Sequence, residues 1–362
     1  MDRYLQNGNQ VKNPERSGIY EIRDIVGTGA SCVVYLADFL ESSGIRTEHL
    51  LKEYNPKRIR IDRDDQGILR IRTEKDQAAF ESGLKRFETG YQMQLNVRRC
   101  SDMKNSTSNI QSIFAANGTR YIDMTVMEGQ TYDQIQEKSL YDLLRRIRTI
   151  TEVIDSYHRN GLLHLDIKPE NILVMPKTVE MVQIFDFDSV TPKAEATRSA
   201  FLSYTQSWAA QEQILPNRRN RICEATDLFA VGEILFYKLM GRHSESHERR
   251  SFSSYQFDHD AAIFKGVNPR AFALLEEIFH HTICSKCADR YQTAAELLEK
   301  LTESIKLTNP KEPFLHHHLP SKSAYFVGRD AQLQEITECL KHTDRLFISG
   351  MGGIVKSELV KK

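Results

Sequence analysis

The fold turns on the stretch His164-Leu165-Asp166-Ile167-Lys168-Pro169-Glu170-Asn171, which runs on into Ile172-Leu173-Val174. An Asp, a Lys two residues later and an Asn five residues later share a short loop ahead of an apolar strand. That spacing suits phosphoryl transfer. A carboxylate can take the proton of an attacking hydroxyl. An ammonium can neutralise charge on the moving phosphate, and an amide oxygen can hold a metal ion. Just upstream, Leu140, Leu143, Leu144, Ile147, Ile150, Ile154 and Tyr157 recur at helical spacing, and Gly161 closes that helix as a C-cap glycine. Downstream, Val182-Gln183-Ile184-Phe185 is a strand candidate, followed by Asp186-Phe187-Asp188, with Asp186 20 residues past Asp166.

Composition narrows the class. Hydrophobic residues at 40% and charged residues at 27% fit a soluble globular protein of 362 residues, long enough for one large two-lobed domain and a little more. Lys plus Arg and Asp plus Glu are both 49, so the whole chain gives no electrostatic case for nucleic acid or an anionic membrane. No apolar run reaches membrane-span length, and the polar start Met1 to Asn13 is no signal peptide. The six cysteines are scattered except for Cys284 and Cys287, a usage that fits reduced thiols and a cytoplasmic setting. Cys284-Ser285-Lys286-Cys287 lacks a second C-x-x-C and a His set, so structural cysteines are expected there, and His316-His317-His318 reads as linker.

The Asp166 loop resembles the catalytic loop of eukaryotic-type protein kinases, and other parts of that family follow in order. Gly27-Thr28-Gly29-Ala30-Ser31-Cys32 between two strand candidates resembles the glycine-rich loop, with Cys32 at the third glycine and Val34 at the adenine-capping position. The resemblance makes Lys52, after Leu50-Leu51, the ATP-anchoring lysine. Its partner should lie on a helix spanning Ala78 to Leu95, where Glu81 and Glu88 are candidates and Glu88 is preferred. A hairpin joined by Asn117-Gly118 leads to Glu128-Gly129, which aligns Met124 with the gatekeeper and Thr125 to Met127 with the hinge. Asp186 matches the metal-binding Asp of D-F-G, with Asp188 in place of the glycine. Ala210-Gln211-Glu212 matches A-P-E, and Thr205, seven residues before Glu212, matches the substrate-loop threonine. Asp227 resembles the aspartate that braces the catalytic loop, and Arg290 the late arginine that pairs with Glu212. Leu165 replaces the arginine of H-R-D, so activity should depend little on activation-segment phosphate.

Residues 324–362 look like the opening of a STAND-type P-loop ATPase, with Phe326-Val327-Gly328-Arg329 and Gly350-Met351-Gly352-Gly353-Ile354-Val355-Lys356-Ser357. Val355 stands where that loop needs glycine, so no ATPase activity is expected there; the segment reads as a remnant of a longer fusion.

The expected architecture is α+β: a two-lobed kinase fold with a small, mainly antiparallel β N-lobe, a larger helical C-lobe and a short P-loop-like tail. Residues 1–17 are expected to be a flexible arm and 18–305 the kinase domain, divided near 127/128. Residues 306–323 are expected to be linker, with the fragment following. The resemblance implies a Ser/Thr protein kinase using ATP and Mg²⁺ on a protein substrate, with Lys168 favouring Ser/Thr over Tyr. Asp166 would be the base, Lys168 the phosphoryl stabiliser, and Asn171 with Asp186 the metal ligands. Gly27, Gly29, Val34, Lys52, Glu88, Met124 and Met127 would bind the nucleotide. A nucleotide-binding module without turnover and a small-molecule kinase are the competing classes.

Overall fold

The computed structural model describes residues 3–99, 110–126, 129–175, 181–198, 204–250, 255–258, 260–265 and 267–309, with Gln334, Glu335 and Glu338 beyond them. The P-loop-like stretch therefore lies outside the described residues apart from those three. Met127 and Glu128 lie outside them as well.

The first lobe is an antiparallel sheet. Its strands are β1 (Gln10–Lys12), β2 (Gly18–Thr28), β3 (Cys32–Glu41), β4 (Arg46–Tyr54), β7 (Ile110–Ala116) and β8 (Thr119–Thr125), in the order β1-β2-β3-β4-β8-β7. Period-two alternation gives the sheet two different faces. One carries Tyr20, Ile22, Val33, Tyr35, Phe39, Leu51 and Tyr121. The other packs Cys32, Tyr54 and Ile122 against helix α1 (Glu74–Arg99) through Phe80, Phe87 and Tyr91.

The arm expected to be loose is built into the sheet: β1 pairs antiparallel with β2, and Leu5 and Val11 are buried in the outer-face core. Residues 55–77 contain the hairpin β5 (Ile61–Arg63) and β6 (Leu69–Ile71). Arg63 anchors it by pairing with Glu53, which is fully buried and also accepts from the hydroxyls of Tyr35 and Tyr121. Helix α1 begins at Glu74 instead of Ala78, because the Thr73 hydroxyl accepts from the Asp76 amide and caps it.

The second lobe is mainly helical. Strand β9 (Gln130–Thr131) precedes α2 (Leu140–Arg159), whose Ser139 cap accepts from the Asp142 amide. Then come β10 (Leu162–Leu163), β11 (Ile172–Val174), β12 (Val182–Ile184) and β13 (Thr191–Pro192). They are followed by α3 (Lys193–Ala196), α4 (Gln211–Ile214), α5 (Glu224–Met240), α6 (Arg270–His280) and α7 (Ala294–Thr308). Helix α2 buries the stripe from Leu140 to Tyr157 against α5 and α7 in one core. The residues from 306 onward, expected to begin a linker, still belong to α7 through Thr308.

Candidate active site

Position in the sheet dictates where Lys52 goes. It pairs with Val34 on β3 and Ile122 on β8, and its neighbours Leu51 and Glu53 are buried on the opposite face. Lys52 is thus aimed at the α1 side, where its ammonium lies 5.8 Å from the centre of the Phe87 ring. Met124 follows two residues after Ile122 and is partly buried on the same face. The turn from Gly29 to Ser31 joins β2 to β3, closed by a bond from the Gly29 amide to the Cys32 carbonyl.

The partner of Lys52 is not the expected glutamate. Glu88 is 40% exposed and bonds Arg120, and Glu81 bonds Gln77. Helix geometry explains this. The buried stripe of α1 runs through Phe80, Gly83, Phe87, Gly90 and Tyr91. Each glutamate directly follows a stripe residue and is turned away by about 100°. Lys52 Nζ instead donates to Asp186 at 2.9 Å and to Asp188 at 3.1 Å. Asp188 also accepts from the Cys32 thiol at 3.6 Å. The two positions where the sequence departs from the kinase glycines are therefore in contact with each other, a link that their separate motifs did not signal.

Charge in this cluster follows burial and neighbours. Burial pushes both carboxyls up, and Lys52 then draws Asp186 below the usual carboxylate range. Asp188, with Asp186 beside it, remains above its ordinary value. Burial opposes the charge on Lys52, but the two aspartates outweigh it and hold the ammonium raised. Burial and Asp188 push the Cys32 thiol up, so it stays a donor.

The second group gathers on the catalytic loop. Lys168 Nζ donates to Asp166 Oδ2 at 2.9 Å and to Thr205 Oγ1 at 2.8 Å. The Thr205 hydroxyl donates to Asp166 Oδ1 at 2.8 Å, so the carboxylate already receives an alcohol proton donor. Asn171 Nδ2 donates to the Asp166 carbonyl at 2.9 Å, which turns its amide oxygen to the other side as an acceptor. Asp186 and Asn171 offer hard oxygen donors of the kind Mg²⁺ takes. Asp166, Asn171 and Asp186 come from one loop and the end of the neighbouring strand, held by the β11–β12 pairing.

Several buried contacts set this geometry. Asp227 on α5 accepts from the amides of His164 (2.9 Å) and Leu165 (2.8 Å) and is bonded by His158 at 2.9 Å. Leu165 has φ +62, an uncommon conformation for leucine. Asp227 on its amide and Gln213 Nε2 on its carbonyl (2.7 Å) hold it there. The Leu165 side chain packs with Leu163, Ala196 and Ile222, joining the catalytic loop to the activation segment by apolar contact. Arg290 forms a buried pair with Glu212 at 2.7 Å. Asp186 also has positive φ, +69. Helix α1 has glycine at Gly90 opposite this turn, where a Cβ would lie 3.1 Å from the Phe187 carbonyl oxygen. His158 and Gln213 carried no motif signal, since a histidine in a helix and a glutamine after A-x-E are ordinary in sequence.

Known proteins give the context. A family profile described as "Protein kinase domain" matches residues 77–307, so it begins inside α1 and covers the catalytic loop, Asp186 and Arg290. The chain is similar to a "Probable serine/threonine-protein kinase pknA2" of Bifidobacterium longum, 25% identical over 61% of this chain and 30% of that protein. It is 31% identical to "Serine/threonine-protein kinase pkn3" of Myxococcus xanthus over 38% of this chain and 27% of that protein. It is 23% identical to "Serine/threonine-protein kinase PknB" of Mycobacterium leprae over 83% of this chain and 45% of that protein. The chain thus spans less than half the length of each of these three relatives. No helix among the described residues is long and apolar enough to cross a membrane. With more than half of its residues matched by the family profile, the chain belongs to the protein kinase family.

Proposed function

We propose that this chain is a Ser/Thr protein kinase that transfers the γ-phosphate of ATP to protein hydroxyls in the cytoplasm. The carrying observation is the Asp166–Lys168–Thr205 triangle. Asp166 accepts the proton of the attacking hydroxyl from the position where it now accepts the Thr205 proton. Lys168, 2.9 Å from that carboxylate, faces the phosphoryl group as it moves. Lys52 holds the nucleotide phosphates, with Asp188 keeping its ammonium in place, and the glycine turn with Val34 covers the nucleotide. Asn171 and Asp186 hold Mg²⁺, which supplies charge neutralisation on the phosphates when bound. The kinase unit runs from the sheet-bound N-terminal segment to the end of α7.

The test is transfer of labelled γ-phosphate to the chain itself and to a generic basic protein, with Asp166→Asn beside the wild type. Label on Ser or Thr, reduced by about 10²–10⁴-fold in the variant, is expected. Equal labelling would remove Asp166 from the role of base. ATP binding without any label, with candidate activators and substrates supplied, would select a nucleotide-binding module instead. Because Leu165 docks the activation segment through Ala196, phosphatase treatment should leave the rate within about twofold; abolished activity would overturn that part.

A further inference from the structure

The C-x-x-C pair of the sequence is not a pair in space. Cys287 Sγ lies 3.4 Å from Cys223 Sγ, a residue 64 positions earlier, whereas Cys284 directs its thiol to the Lys286 carbonyl at 3.3 Å. Cys223 is partly buried and sits at the N-cap of α5; Cys287 is 9% exposed. The hydrogen bond shared with Cys287 holds the Cys223 thiol well below the ordinary thiol range, and the Ala225 amide and Arg290 guanidinium add to this. The Cys287 thiol is pushed up by that same bond and by burial. Two cysteine sulfurs whose proton affinities are pushed apart thus stand in contact.

We propose that Cys223 and Cys287 are a redox-modification site, forming an intrachain disulfide on two-electron oxidation by a peroxide. The Cys223 thiolate attacks one peroxide oxygen: an S–O bond forms, the O–O bond breaks, and the departing hydroxide is protonated to water. Cys287 then attacks the sulfenic sulfur: the S–S bond forms, the S–O bond breaks, and a second water leaves with the Cys287 proton. The two sulfurs together lose two electrons and the peroxide gains them. A disulfide sulfur pair sits at about 2.05 Å, so the two atoms must close by about 1.4 Å. The bond falls at a junction. Arg290, three residues after Cys287, donates to Glu212 and to the Ala225 carbonyl two residues after Cys223. Ile222, next to Cys223, packs on Leu165 of the catalytic loop. Oxidation therefore locks covalently the same base of the activation segment that the Glu212–Arg290 pair holds by charge.

The experiment exposes the reduced full chain to hydrogen peroxide, blocks free thiols, and maps peptides without reductant. A cross-linked species joining the Cys223 and Cys287 peptides is expected, two hydrogens lighter than their sum and reversed by dithiothreitol. In Cys287→Ser, Cys223 should remain as a sulfenic acid that dimedone tags; in Cys223→Ser neither product should form. The oxidised wild type should melt higher than the reduced form. A Cys284–Cys287 bond, a Cys223 sulfinic acid with no cross-link, or a cross-link only between separate chains would each overturn the proposal. The wild-type map needs no variant to fold. It is also independent of phosphate transfer, so its failure and that of the kinase reading are distinguishable.

Discussion

Lys52 is where a single residue decides most. Its ammonium is held by Asp186 and Asp188, and Glu88 lies away on α1 with Arg120. A charge-assisted bond contributes about 1.5–3 kcal/mol. Asp188→Ala is therefore expected to lower kcat/KM by about tenfold or more, whereas Glu88→Gln should leave it within about twofold. Steady-state kinetics on both variants check this, and the reverse ranking would restore Glu88 to the site. A second residue-scale expectation concerns His164. Its ring is fully buried against Tyr157 and Phe187, its Nε2 has no hydrogen-bond partner, and burial lowers its pKa from the ordinary 6.5. The unfolded chain takes up a proton near 6.5 that the folded state refuses. Stability is therefore present above that pH and falls as pH drops below it, toward the depressed folded value. Melting temperatures between pH 7 and 5 should decline less steeply in His164→Phe. An unchanged slope would sink the idea.

At the scale of elements, close approach overrides helix propensity. Glycine in a helix costs about 1 kcal/mol relative to alanine when nothing touches it, which is all that sequence can say of Gly83, Gly90 or Gly232. In the fold each lies against a neighbour. A Cβ on Gly232 of α5 would fall 2.3 Å from the Thr282 Cβ, and Thr282 is fully buried. Gly232→Ala is thus expected to destabilise by about 1–3 kcal/mol despite its better helix propensity, measured by denaturant unfolding. A gain in stability would show that α5 and the turn at Thr282 can separate. The same logic explains why Gly90 brings α1 onto the Phe187 backbone, so the glycines noted as weak points in a helix serve as contact points.

Across the whole molecule, the Glu212–Arg290 pair joins segments 78 positions apart, with both side chains almost fully buried. Removing one partner leaves a buried charge alone, so Arg290→Gln should cost about 3–5 kcal/mol, and Glu212→Gln in the same chain should recover part of it. Differential scanning calorimetry of the single and double variants reads this directly, and simple additivity would count against a private pair. The sequence alone determined the elements with a strong local signal: apolar periodicity and turn residues are local properties, so the α2 stripe, the Asn117-Gly118 hairpin and the Asp166 loop were legible without a neighbour in view. It also brought Asp166, Lys168 and Asn171 together, because five residues of loop leave little freedom. Tertiary structure decided what depends on distant surfaces meeting. Leu5 and Val11 joined a core because a sheet face lay open to them. Glu88 lost Lys52 because the stripe of α1 buries Phe87 at that contact. Cys32 met Asp188, and Cys223 met Cys287, across 156 and 64 positions, a proximity that neither propensity nor motif spacing encodes.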